Sequence, residues 1–93
     1  MRYPIAIEPG DNRHAFGVVV PDLPGCFSAG DSLDEAMVQA REAILLHLEG
    51  ILDEGKALPQ PSPVDMHVGN PDFNGWIWAI VEIDPEDLPE RPS

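Results

Sequence analysis

Ser32-Leu33-Asp34-Glu35 opens the stretch that decides the fold. It runs on through Ala36-Met37-Val38-Gln39-Ala40-Arg41-Glu42-Ala43-Ile44-Leu45-Leu46-His47-Leu48-Glu49-Gly50-Ile51-Leu52-Asp53-Glu54 to Gly55. Serine followed three residues later by glutamate is a capping box: the hydroxyl of Ser32 accepts from the Glu35 N–H, and the Glu35 carboxylate reaches back to the Ser32 N–H. Asp34 and Glu35 put negative charge at the positive end of the helix that follows. Leu33, Ala36, Met37, Ala40, Ile44, Leu48 and Ile51 then recur at helical spacing on one face. Gly55, with Lys56 beyond it, is a natural stop. The expectation is one helix of about 20 residues, about 30 Å long.

Upstream of the helix the pattern changes to alternation. In Tyr3 to Glu8 the residues Tyr3, Ile5 and Ile7 point one way and Pro4, Ala6 and Glu8 the other. Pro4 cannot donate to a ladder, which places it near the strand start or facing an open edge. Pro9-Gly10-Asp11-Asn12 is a turn, and His14 to Val20 reads as a second strand. Pro21 to Gly25 breaks the pattern, and Cys26 to Ala29 makes a short third strand before Gly30. Downstream, Leu58-Pro59-Gln60-Pro61-Ser62-Pro63 is a stiff, extended connector. Val64 to Val68 reads as a short extended piece, Asn70 to Gly75 as a turn cluster, and Trp76 to Ile83 as a last strand. The expected architecture is α+β in the order β-β-β-α-β: an antiparallel three-strand meander, a last strand beside and parallel to the first, and one long helix on one face.

The last strand is apolar on both faces: Ile77, Ala79, Val81 and Ile83 on one, Trp76, Trp78 and Ile80 on the other. One helix covers one sheet face, so the second face needs another cover. Two covers fit: the proline-rich connector and tail, or a partner chain, since large apolar patches and tryptophans mark interfaces. The expectation is self-association into a dimer or tetramer. Val38, Leu45 and Leu52 recur at heptad spacing on a second helix stripe, and they are candidates for that contact or for a widened core edge.

Composition narrows the partners. The 93 residues fit one small domain, with 17 acidic against 5 basic residues and a net charge of −12. That charge repels nucleic acid and anionic membranes and favours a basic protein partner. One cysteine, Cys26, excludes an internal disulfide framework and reads as a small buried residue. No apolar run approaches the roughly 20 residues that span a bilayer, and the N-terminus lacks a signal-peptide core, so the expected compartment is the cytoplasm.

Little in the chain argues for catalysis. His14, His47 and His67 are far apart and show no metal-ligand spacing. Asp22, Asp31, Asp34 and Glu35 cluster in sequence, but without a calcium-loop pattern, and the helix cap accounts for two of them. Ser28, Ser32 and Ser62 lie in no nucleophile elbow, and no phosphate-binding loop or dinucleotide fingerprint occurs. The expectation is a protein without catalytic residues, metal or cofactor. A hydrolase built on the acidic cluster stays as the contrary reading, to be tested with EDTA and Asp22→Asn.

Tyr3-Pro4-Ile5-Ala6-Ile7-Glu8, the run from Phe16 through Asp22-Leu23-Pro24-Gly25-Cys26-Phe27-Ser28-Ala29-Gly30-Asp31-Ser32-Leu33-Asp34-Glu35-Ala36, Glu42-Ala43-Ile44, and Trp78 to Asp84 resemble the N-terminal domain of HicB-type antitoxins. The resemblance implies a partial ribonuclease-H-like fold over residues 1–84, and the composition of residues 85–93 reads as a loose, acidic, proline-rich tail. It implies a partner, HicA, a small basic toxin that cleaves mRNA and whose active site the antitoxin covers. Many members continue into a DNA-binding domain. From Asp84 onward this sequence carries one basic residue, Arg91, and gives no support for direct DNA binding. Glu8, Asp22, Trp76, Trp78 and Glu82 are the candidate toxin contacts. The alternative is a stand-alone ligand-binding or regulatory module that keeps the fold without a toxin.

Overall fold

In the computed structural model, which describes residues 1–88, strand β1 (Arg2–Glu8) is the centre of the molecule and not its edge. Strands β2 (Phe16–Val19) and β3 (Phe27–Gly30) follow as an antiparallel meander. Helix α1 (Leu33–Asp53) comes next, then a short helical turn α2 (Asp65–Val68) and strand β4 (Ile77–Glu82). The sheet order is β3-β2-β1-β4. Where the spacing suggested an extended piece from Val64, the chain makes a single helical turn.

The helix starts as its sequence dictates. Ser32 is extended, and its hydroxyl accepts from the Glu35 N–H at 3.1 Å. At the other end Gly55 adopts φ +78°, a left-handed value that suits glycine. Ala36, Ala40, Ile44 and Leu48 are fully buried against Tyr3, Ile5, Ile7, Val18, Val81 and Ile83. Leu33, expected on the same stripe, is 40% exposed. Helix and sheet come into close contact at Gly30, where a Cβ would drive into the Ala36 backbone. Small residues on both sides, Gly30 and Ala36, permit that approach.

The last strand overturns one expectation. It lies beside β1 but antiparallel to it, with Ile5 opposite Ala79 and Tyr3 opposite Val81. A short link from the end of α1 would have started β4 at the Arg2 end of β1 and made it parallel. Residues 54–76 instead form a strap that crosses the second face of the sheet from the Arg2 end to the Glu8 end. The chain is thereby reset before β4 begins. Tyr3 Oη donates to the Pro59 carbonyl at 2.5 Å where the strap starts. The strap is therefore the cover of the second face within one chain.

Pro4 sits near the strand start, as expected, and the ladder shows how it is accommodated. Met1 and Ile83 exchange both backbone bonds at 2.7 Å, so the odd residues of β1 bond to β4 and the even ones face β2. The β1–β2 ladder begins only at Ala6. The missing N–H of Pro4 thus falls past the end of β2, and a proline sits buried in a central strand.

The tail is not loose where it is described. Pro85–Asp87 forms a 3-10 turn, Arg41 donates to Asp87 at 2.7 Å, and Leu88 is buried against the core. Residues 89–93 of the expected tail, with Arg91, lie outside the described residues.

Candidate functional site

The second face is where the chain gathers its unusual side chains. Asp22 lies in the turn that links β2 to β3, closed by the Leu23 N–H to Val20 carbonyl bond at 3.0 Å and the Cys26 N–H to Leu23 carbonyl bond at 3.0 Å. Its carboxylate faces the strap. The Ser62 N–H donates to Oδ2 at 2.8 Å, and the Ser62 hydroxyl donates to Oδ1. His67 Nε2 lies 3.1 Å from the same Oδ1 and 3.0 Å from Ser62 Oγ. The side chains of Asp22 and His67 are only 11% and 19% exposed. Burial pushes the Asp22 carboxyl upward, but the bonds from Ser62 and His67 outweigh it and hold the group below the ordinary carboxylate range. Burial, helped by the Asp22 charge, pushes the Tyr3 phenol up.

Aromatic contacts continue the lock. The His67 ring stacks on Trp78, with centroids 6.3 Å apart and planes 17° apart. Phe73 then meets both Trp76 and Trp78 edge-on, at 5.1 and 5.4 Å. One chain of contacts runs from the β2–β3 turn through the strap to β4.

Serine, histidine and aspartate together invite a catalytic reading, and the geometry argues against it. In a nucleophilic triad the carboxylate holds one ring nitrogen and the hydroxyl donates to the other. Here carboxylate and hydroxyl converge on the same Nε2, and the hydroxyl donates to the carboxylate. No ring nitrogen is set to draw the proton from Ser62 alone. The arrangement clamps the strap. Elsewhere among the candidate carboxylates, Asp34 and Glu35 sit in the first turn of α1, at the end of the molecule opposite Asp22.

Two shallow grooves flank the strap. One, of about 290 Å³, lies between Arg2, Pro4 and Ile80 and the segment Pro61 to Val64. The other, of about 340 Å³, lies between Val19, Leu23 and Phe27 and the strap residues His67, Asn70 and Phe73. Phe27 stands beside it 65% exposed.

The sequence-derived candidates divide accordingly. The pleat puts Glu8, Trp76, Trp78 and Glu82 on the second face. Glu8 and Glu82 are exposed at its opposite ends, and Trp76 and Trp78 are half-buried. Asp22 is engaged with Ser62 and His67. On the helix, Val38 is 59% exposed, whereas Leu45 and Leu52 are half-buried against the core. Cys26 is buried, and burial raises its thiol pKa. Sequence reading missed Ser62 and His67 as partners of Asp22, because 40 and 45 residues separate them and no local spacing joins them.

A four-stranded antiparallel sheet with one helix behind it and an aromatic, acid-rimmed strap in front places the chain in a known class. A sequence model described as "HicB_like antitoxin of bacterial toxin-antitoxin system" matches residues 3–93. The chain is similar to the crystal structure of the Burkholderia pseudomallei antitoxin HicB, with a TM-score of 0.88 and 36% identity over 100% of this chain and 70% of that one. It is 44% identical over 84 residues, 90% of its length, to an uncharacterized 14.9 kDa protein of Haemophilus phage HP1. It is 30% identical over 67 residues, 72% of its length, to antitoxin HicB of Escherichia coli K12. The chain spans 62% and 48% of those two relatives. This protein belongs to the HicB-like antitoxin family. Among the described residues no helix is long and apolar enough to cross a membrane.

Proposed function

We propose that this chain acts as an antitoxin, binding a small basic HicA-type toxin and blocking access to its RNA-cleaving site. One observation carries the reading. A chain of the structure described as "HicA3 and HicB3 toxin-antitoxin complex" matches over 91% of this protein and 100% of that chain, at 35% identity and a TM-score of 0.76. The charge supports it, since −12 on 93 residues steers a basic, RNA-binding surface into encounter.

In this reading inhibition needs no catalytic residue. A rigid surface that fits over the toxin removes its site from RNA and from water. Glu8 and Glu82, exposed at the two ends of the strapped face, and Trp76 at its rim make the contact. Trp78 supports them from below. Asp22 acts at one remove: through Ser62 and His67 it holds the strap that forms the face.

The test is co-expression with the small basic protein encoded beside this one, scored for growth, mRNA cleavage and co-purification. The expected result is arrest by the neighbour alone and rescue in a stable complex. Glu8→Lys with Glu82→Lys should slow association and weaken binding about tenfold or more, most visibly at low salt. A harmless neighbour, or one that does not associate, overturns the reading and leaves the stand-alone ligand-binding module.

A further inference from the structure

Burial falls away along one row of the second face. Pairing sets Trp78 opposite Ala6, Ala6 opposite Val19, and Val19 opposite Phe27, so four side chains stand in line across the sheet. Trp78 is half-buried against His67 and Phe73, and Ala6 is fully buried. Val19 is half-buried, and Phe27 is 65% exposed. The strap thus covers β4 and β1 and stops short of β3. The neighbouring row, counted inward from the edge, is Ala29, Gly17 and Glu8. It is a low shelf of two small residues that ends at an exposed carboxylate.

Phe27 is a ridge between two grooves. On the strap side lies the groove of about 340 Å³ that it shares with Val19, Leu23 and Phe73. On the other side a groove of about 330 Å³ separates it from Ala43 and Leu46 of α1. Among the described residues no carboxylate lines either groove. The carboxylates stand around them: Glu8 at the end of the shelf, and Glu42 one helical turn from Leu46, both exposed. An apolar, aromatic centre inside a charged rim is the anatomy of a protein-binding patch.

The rim selects the occupant. A second copy of this chain would set the same carboxylates, and the rest of its charge of −12, against this rim and be repelled. A basic protein is attracted by it. Resting on the antitoxin reading, we propose that Phe27 is the central anchor of the toxin contact. Its ring enters an apolar pocket of the toxin, and a toxin lysine or arginine lays its aliphatic stem over Ala29 and Gly17 and its charged head on Glu8. Neighbouring strands are about 5 Å apart, so a stem resting on Gly17 brings the head to the Glu8 carboxylate. The anchor thus lies on the β2–β3 half of the face, and the strap forms one wall of its groove.

Binding kinetics against the small basic protein encoded beside this one test the assignment. Phe27→Ala should weaken binding about 30-fold or more, the loss expected of a central anchor, and nearly all of it should appear in the dissociation rate. Glu8→Lys should instead slow association, most strongly at low salt. Gly17→Val should fill the shelf and weaken binding about tenfold or more. Its Cβ meets no atom closer than 3.9 Å, so the fold and its circular dichroism spectrum should not change. Met66→Ala is the control: Met66 is 72% exposed and lines neither groove, and its loss should change affinity less than twofold. A neighbour that fails to bind the unsubstituted chain overturns the antitoxin reading, and this assignment with it. A neighbour that binds the unsubstituted chain and binds Phe27→Ala within threefold as tightly overturns the assignment alone. So does a loss in Met66→Ala as large as that in Phe27→Ala.

Discussion

The two faces of this sheet are covered by opposite means. On one, α1 lays Ala36, Ala40, Ile44 and Leu48 against the strands, and all four are fully buried. That cover is regular, apolar and continuous. On the other, residues 54–76 cross as an irregular strap held at a few points: Tyr3 to Pro59, Asp22 to Ser62 and His67, and Phe73 between two tryptophans. Pro4 and Ala6 are buried there, but Trp78 stays half-buried and Ile80 exposed. A helix excludes water by packing, whereas the strap depends on polar bonds whose donors and acceptors water can replace. Stability should thus concentrate behind the helix, and adaptability in front, on the face proposed to meet the toxin.

The largest difference between the faces should come from Ile44→Ala. It removes a fully buried side chain from the helix cover and should cost about 2–5 kcal/mol. For a domain of this size each kcal/mol lowers Tm by about 4–8 °C, so thermal unfolding reads the effect directly. An effect below 1 kcal/mol would mean that the helix cover is no tighter than the strap.

Gly30→Ala probes the same face where β3 meets the start of α1. The new methyl group meets the Ala36 backbone, which has no rotamer by which to retreat. Overpacking of this kind costs about 1–3 kcal/mol. The expected signature is a shifted start of α1, read as lost amide protection near Ala36. Unchanged protection would show that the helix end slides freely.

On the strapped face, Trp78→Ala should cost about 2 kcal/mol, less than a fully buried tryptophan, because the ring is already half in water. It should free Phe73 and His67 together, so hydrogen exchange should rise through residues 65–76 and stay low in α1. Matching rises in α1 would show that the two covers unfold as one unit.

These contrasts follow how the fold was legible in the sequence. The helix face could be read locally: the cap at Ser32, the apolar stripe and the stop at Gly55 all lie within one continuous stretch. The order of elements and the position of β4 beside β1 were legible for the same reason. The direction of β4 was not, since it depends on the path of the strap, which long-range contacts set. The three prolines of Pro59 to Pro63 declare stiffness and say nothing about which face they cross. Asp22 was legible as a candidate, but its bonds to Ser62 and His67 were not, because those partners are 40 and 45 residues away. Glu8, Trp76, Trp78 and Glu82 fell on one face because alternation alone assigns faces.

The smallest effect is the most specific one. Asp22→Asn should cost about 1 kcal/mol at neutral pH, since the amide keeps part of the bonding to Ser62. Its pH dependence separates the faces. The Asp22 carboxyl is held below its ordinary value of about 3.9, so it stabilises the fold at any pH above that value. The contribution is lost as pH falls from about 5 through the lowered folded-state value. Both tryptophans sit on the strapped face, so their fluorescence reports the strap, while far-ultraviolet circular dichroism reports α1. On acidification the fluorescence should change before the dichroism does. In Asp22→Asn that early change should vanish and the two signals should move together. Coincident transitions in the unsubstituted chain would show that the lock is part of one cooperative unit, and that the strap is as firmly held as the helix behind it.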